Sequence, residues 1–274
     1  MTPDSTHAEP GKAMVEVSQL TMAFGERVLQ RNLNFDVRAG EVLVIMGGSG
    51  CGKSTLLRHL VGLQPPAAGQ VRYGATDMYN CDDATLAALR RQFGVMYQAG
   101  ALWSSMSVGD NVMLPLQMFT RLSAADCQAR ARSKLGLVGL ADSFDAQPSA
   151  LSGGMRKRAA IARALALEPP LLYLDEPSAG LDPPAAAQLD DLILQLRHDL
   201  GTTVVMVSHE LDSIFAVADR ALFLDAHSKT MTALDAPATL LSGGPEPVQN
   251  FLRRGRPAAA GASPPTLQTR QASP

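Results

Sequence analysis

The stretch Gly47-Gly48-Ser49-Gly50-Cys51-Gly52-Lys53-Ser54-Thr55 constrains this chain more than any other part of it. It fits the pattern G-x-x-x-x-G-K-[ST]. Glycines let the backbone curl so that successive N–H groups face inward, which makes a concave cradle for phosphate oxygens. A helix that follows such a cradle offers its positive N-terminal end to the same anion. In this pattern Lys53 reaches the β- and γ-phosphates, and the Ser54 hydroxyl helps hold Mg²⁺. The bland alternative is a Gly-rich turn with an exposed lysine. The flanks disfavour it, because Glu41–Met46 reads as a buried strand and Lys53–Val61 as a helix stopped at Gln64-Pro65-Pro66. The motif implies nucleotide binding without saying which machine uses it.

Short apolar runs alternate with helical-period segments, the pattern of an α/β domain with a mainly parallel sheet. Val15–Thr21 and Leu33–Val37 are early strand candidates, joined through Phe24-Gly25-Glu26 in an N-terminal antiparallel part. Further strands are expected at Gln70–Tyr73, Gly94–Tyr97, Leu171–Leu174, Thr203–Val207 and Arg220–Leu224. From about Ser105 to Leu167 the pattern turns helical and reads as an insertion subdomain. Ser123-Ala124-Ala125-Asp126 there looks like a capping box with Asp in place of Glu. The expected organisation is one domain over residues 13–252 and a Pro/Ala-rich tail over residues 253–274. That tail has four arginines and no acid, and its composition predicts disorder. Contact with anionic lipid headgroups is one reading of it, and a solvated terminus without a role is the other.

Twenty-four basic against twenty-six acidic side chains leave a net charge of -2, with no basic excess for gripping nucleic acid. The three cysteines, Cys51, Cys81 and Cys127, are too far apart for a metal site and suit reduced thiols. Met1–Lys12 lacks the apolar core of a secretory signal. No apolar run approaches the ~20 residues of a spanning helix. A soluble protein is expected, with any membrane work done through partners.

Two further clusters carry chemistry. Leu171-Leu172-Tyr173-Leu174-Asp175-Glu176 is an apolar strand ending in adjacent acids, which strand alternation aims differently. Asp175 suits the Mg²⁺ shell, and Glu176 suits general-base work on an attacking water. Leu151-Ser152-Gly153-Gly154-Met155 precedes the helical run Arg156–Leu167, so a hydroxyl and two glycines open a helix and make a second anion site. One chain with one phosphate cradle has no evident use for that second site.

At this point the sequence resembles the ABC ATPase family, whose signature is LSGGQ. The resemblance covers Val15 to Leu252 and implies a P-loop NTPase core of the ABC type, hydrolysis of ATP with Mg²⁺, and a head-to-tail dimer. In such a dimer the signature of one copy closes over the phosphate loop of the other, so Ser152, Gly153 and Gly154 are expected to bind the partner's nucleotide. The resemblance also implies that Phe24 stacks on adenine and that Gln98 links Mg²⁺ and water to the membrane subunit. Ser178-Ala179-Gly180-Leu181-Asp182 matches the loop at the dimer seam, and His209 matches the histidine that contacts the γ-phosphate. Three positions depart from the commoner pattern: Phe24 for Tyr, Gly48 for Pro or Ser, and Met155 for Gln. None removes a group that phosphate needs.

Tyr97-Gln98-Ala99-Gly100-Ala101-Leu102-Trp103, followed by Val108, Asn111-Val112 and Pro115-Leu116, is more particular. With LSGGM it looks like the ATPase subunit of Mla-type lipid transport systems. That implies an integral permease and an MCE-domain protein as partners, a place on the cytoplasmic face of the bacterial inner membrane, and phospholipid or a related lipid moved between membranes. The alternatives are the ATPase of a small-solute importer and, further off, a soluble ABC ATPase without a transporter.

Overall fold

Strand alternation sets the layering of the molecule. The computed structural model describes residues 11–254. In β3 (Val42–Gly47), Val42, Val44 and Met46 enter one core, while Leu43 and Ile45 enter another on the opposite face. β7 (Leu171–Asp175) and β8 (Thr203–Val207) divide in the same way, with Leu172, Leu174, Val204 and Met206 on the first face and Tyr173, Val205 and Val207 on the second. A strand apolar on both sides is what a sheet covered on both faces requires. With β6 (Phe93–Met96), β9 (Arg220–Asp225) and β10 (Thr230–Asp235) they form a six-stranded sheet in the order β10-β9-β3-β8-β7-β6. All its neighbours run parallel except the edge strand β10, which is antiparallel to β9.

A second sheet supplies the antiparallel part. β1 (Ala13–Phe24), β2 (Arg27–Arg38), β4 (Ala68–Tyr73) and the two-residue β5 (Thr76–Asp77) line up as β2-β1-β4-β5. α1 (Lys53–Leu60) contributes Leu56, Leu57 and Leu60 to the core that the two sheets share. Its C-terminal end is pinned from both sheets. Tyr73 Oη donates to Leu60 O at 2.7 Å and lies 2.5 Å from Tyr173 Oη. The helix that carries the phosphate-reading lysine is therefore held at its far end by a buried polar link.

The helical part contains α3 (Val108–Phe119) and α4 (Ala124–Leu137), followed after two short 3₁₀ turns by α5 (Gly153–Ala164). α5 packs on α3 and α4 and also on β6, so it bridges the insertion and the parallel sheet. The reciprocal capping box lies at α3, where Ser107 Oγ accepts from Asp110 N and the Asp110 carboxylate accepts from Ser107 N. At Ser123 the hydroxyl accepts from Asp126 N, but the Asp126 carboxylate meets the hydroxyl rather than the backbone.

α2 (Asp83–Arg90), α6 (Pro183–Leu200), α7 (Leu211–Val217), α8 (Pro237–Gly243) and α9 (Glu246–Arg253) complete the described residues. Arg253 closes α9, one residue inside the tail expected from the sequence, and residues 255–274 of that tail lie outside the described residues. No helix among the described residues is long and apolar enough to cross a membrane.

Candidate functional site

The phosphate loop leaves β3 through Gly47, whose φ of +148° and crowding exclude a side chain. A Cβ there would collide with the Leu224 carbonyl oxygen and sit 2.8 Å from Cys51 Sγ. At the other end Gly52, with φ +102°, turns the chain into α1. Gly48, Ser49 and Gly50 form the exposed crown of the loop, and Cys51 is buried beneath it. Gln30 stays out of solvent to hold the loop, its amide donating to Cys51 O at 2.8 Å and Asp225 O at 3.1 Å. Lys53 Nζ curls back over the loop and donates to Gly47 O at 2.9 Å and Gly48 O at 3.2 Å. Ser54 and Thr55 occupy the first turn of α1 as the motif requires.

β7 ends on Asp175, and Glu176 follows it outside the strand in a left-handed conformation, so strand alternation does not set its direction as the sequence suggested. Asp175 is 8 % exposed, and its Oδ1 accepts from Ser54 Oγ at 3.0 Å. Burial pushes its carboxyl above the usual range, and the Ser54 hydroxyl opposes that shift. The hydroxyl–carboxylate pair fits Mg²⁺, which takes one or two carboxylates plus substrate phosphates rather than an all-protein cage. No cluster of three His, Cys, Asp or Glu side chains able to hold a metal occurs among the described residues. Glu176, one residue past the strand, meets different partners. Its Oε2 accepts from Gln98 Nε2 at 3.0 Å, and its Oε1 lies 3.0 Å from His209 Nδ1. Gln98, Glu176 and His209 thus meet as one cluster, and Gln98 touches the carboxylate of Glu176 rather than Asp175 or Ser54.

Other expected residues stand apart from this cluster. Phe24, at the end of β1, is half exposed, as an adenine platform needs to be. Ser152 caps α5, its Oγ accepting from Met155 N at 3.2 Å. Gly153 and Gly154 lie beside Leu181 and Ala185. No hydrogen bond among the described residues joins the signature to the phosphate loop of the same chain.

The structure adds residues that the sequence reading missed. Glu176 adopts φ +48°, a left-handed conformation that costs a non-glycine residue about 1–3 kcal/mol. Both of its backbone groups are held. Its N–H donates to Val207 O at 3.0 Å, and its carbonyl accepts from Lys157 Nζ at 3.3 Å and from Ala179 N at 3.3 Å. Lys157 Nζ also donates to Ala179 O. Burial pushes the Lys157 ammonium down, with the charges of Glu176 and Glu210 opposing. Arg163, six residues along α5, donates to Ala101 O at 2.6 Å and Gly100 O at 3.0 Å. The available signal was phase, since Lys157 sits three and four residues before the buried Ala160 and Ile161 and so shares their face.

A P-loop whose serine meets a strand-end Asp, followed by a Glu bracketed by a Gln and a His, and a glycine-opened second anion site define an ATP-hydrolysing cassette. The chain belongs to the ABC transporter family, whose model matches residues 30–179. Among curated relatives, the probable ribonucleotide transport ATP-binding protein mkl of Mycobacterium tuberculosis is 36 % identical over 92 % of this chain and 69 % of its own length. The intermembrane phospholipid transport system ATP-binding protein MlaF of Escherichia coli is 38 % identical over 87 % of this chain and 88 % of its own. The methionine import ATP-binding protein MetN of Mesorhizobium japonicum is 39 % identical over 81 % and 61 %. Among solved structures, the dimeric post-hydrolysis state of the ATP-binding cassette MJ0796 bound to ADP and Pi has a TM-score of 0.74 at 31 % identity. It covers 81 % of this chain and 98 % of that one.

Proposed function

We propose that this chain powers the movement of phospholipid, or a related lipid, between the inner and outer membranes of a diderm bacterium. It would act as a head-to-tail homodimer on the cytoplasmic face beneath an integral permease, with an MCE-domain protein as a further partner. The observation that carries the lipid reading is the reach of the likeness to MlaF, which extends over 88 % of that protein, against 69 % for mkl and 61 % for MetN. The Gln98–Leu116 sequence and the Met155 signature support it. A second reading, the ATPase of a small-solute importer, draws on the 39 % identity to MetN.

In this reading Lys53 leaves its carbonyl partners for the β- and γ-phosphates, and Phe24 takes the adenine. Ser152, Gly153 and Gly154 close over the nucleotide of the other copy. Ser54, Asp175 and Gln98 would hold Mg²⁺, which supplies charge neutralisation on the phosphates. Glu176 takes the proton of the attacking water, and His209 and Gln98 hold its carboxylate in place. A cavity of about 410 Å³, lined among others by Ala87, Phe93, Pro115, Phe119 and Arg163, suits a permease segment. Trp103 and Met118 are exposed as well.

The test is to purify Glu176→Gln with ATP from detergent-solubilised membranes and identify what accompanies it by mass spectrometry. A permease with an MCE-domain subunit and enriched phospholipid is the expected result. A permease with a soluble binding protein and no enriched lipid would overturn the lipid reading and leave a solute importer.

A further inference from the structure

Glu176 and Ala101 are left-handed without being glycine, at φ +48° and +49°; Glu176 belongs to the hydrolytic cluster and Ala101 follows Gln98 in the same loop. In each case a cation from α5 grips the carbonyl of the strained residue. Lys157 holds Glu176 O and Arg163 holds Ala101 O. Lys157 is 8 % exposed and forms no ion pair within 4.0 Å among the described residues, the charges of Glu176 and Glu210 acting on it only from farther off. Its hydrogen-bond acceptors are two backbone carbonyls, Glu176 O and Ala179 O. Burying an ammonium is unfavourable, and a buried cation kept only for stability is normally set against a carboxylate. Two carbonyls on one short loop fix geometry instead. They hold the turn from Glu176 to Ala179 closed and leave the Glu176 backbone little freedom to relax to negative φ, a change that would re-aim the side chain away from Gln98 and His209.

We propose that Lys157 is a positioning residue for ATP hydrolysis, holding the left-handed backbone of Glu176 from the same helix whose first turn carries Ser152, Gly153 and Gly154. The inference rests on the reading of Glu176 as the base. Through Lys157 the aim of that carboxylate depends on where α5 sits, so the signature helix and the hydrolytic carboxylate of one chain are mechanically linked. Substrate binding through Lys53 and Phe24 does not pass through this link.

Lys157→Met keeps the length and apolar stem of the side chain and removes its donors. ATP turnover and direct binding of a fluorescent ATP analogue are measured on the full-length protein, beside wild type, Lys157→Arg and Glu176→Gln. Lys157→Met is expected to lose at least tenfold in kcat while KM and analogue affinity stay within twofold. Lys157→Arg, which keeps the charge and several donors, is expected to recover most of the rate. A Lys157→Met rate within twofold of wild type overturns the proposal. So does a loss of affinity in step with turnover, which makes Lys157 a support of the fold. Should the Met variant not fold, Lys157→Leu, which also has no donor, is read by the same split. Unimpaired turnover by Glu176→Gln would instead remove the base assignment itself, an outcome separate from any result at Lys157.

Discussion

Asp190 projects from α6 into a corner that is 6 % exposed, where Ser213 Oγ donates to its Oδ2 at 2.8 Å and Oδ1 meets no donor among the described residues. Burial pushes its carboxyl above the usual range, and the charges of Asp191 and Asp212 add to the shift against the Ser213 hydrogen bond. Between the unfolded and the folded pKa, the folded state holds a proton that the unfolded chain has released. Its contribution to stability is complete below the unfolded pKa and is lost as pH rises through the folded one. In Asp190→Asn that dependence should vanish, so the Tm of the variant minus that of wild type is expected to rise from acid toward neutral pH. Thermal melts across the range check it, and a flat or falling difference rejects the assignment. The nucleotide-reading residues were legible in the sequence because their chemistry demands particular types at fixed spacing. Asp190 and Lys157 were not, since an acid or a lysine on a helix reads as solvated until the packing around it is known.

Among the elements, α3 shows how an interior side chain governs an exposed loop. Asn111 has no exposed surface, and it satisfies Trp103 twice, accepting from its N–H at 2.8 Å and donating to its carbonyl at 3.0 Å. The same amide group donates to Ser107 O at 2.9 Å, behind the capping box. Asn111→Ala orphans these groups and is expected to cost about 2 kcal/mol or more. Denaturant unfolding gives the cost, and hydrogen exchange should show Trp103 N–H losing protection. Undiminished protection there would exclude the role. Strands β1 to β4 and β6 to β9 were legible because apolar runs of that length between turn residues have few other uses. α6 went unread although Asp182 accepts from Ala185 N and Pro183 opens the helix, a start signal that the family likeness of that loop obscured. β10 and β5 are edge strands that fold back on β9 and β4 in hairpins, and they went unread because β5 is two residues long and β10 mixes Thr, Met and Ala without an apolar run.

At the scale of the molecule, the two sheets are joined through α1 and the Tyr73–Tyr173 pair, with Phe93 packed against both rings. Because Tyr73 gives its proton to Leu60 O, Tyr173 must donate to Tyr73. Tyr73→Phe thus strands a carbonyl and a hydroxyl at once and is expected to cost about 1–3 kcal/mol. Adding Tyr173→Phe should worsen stability by less than that change does alone, because its hydroxyl is already orphaned. A double-mutant cycle by chemical denaturation decides it, and strict additivity would count against the link. The mainly parallel sheet and its antiparallel N-terminal part were legible from apolar runs alternating with helical segments, but this cross-sheet contact joins residues a hundred positions apart and had no local signature. The twelve residues of α5 span about 18 Å. Along that rod hang the Ser152 cap, the Glu176–Ala179 turn and the Gly100–Ala101 turn. Three loops slung from one stiff beam swing in unison or not at all, so a tilt begun at any of them arrives at the other two without delay and without a separate messenger.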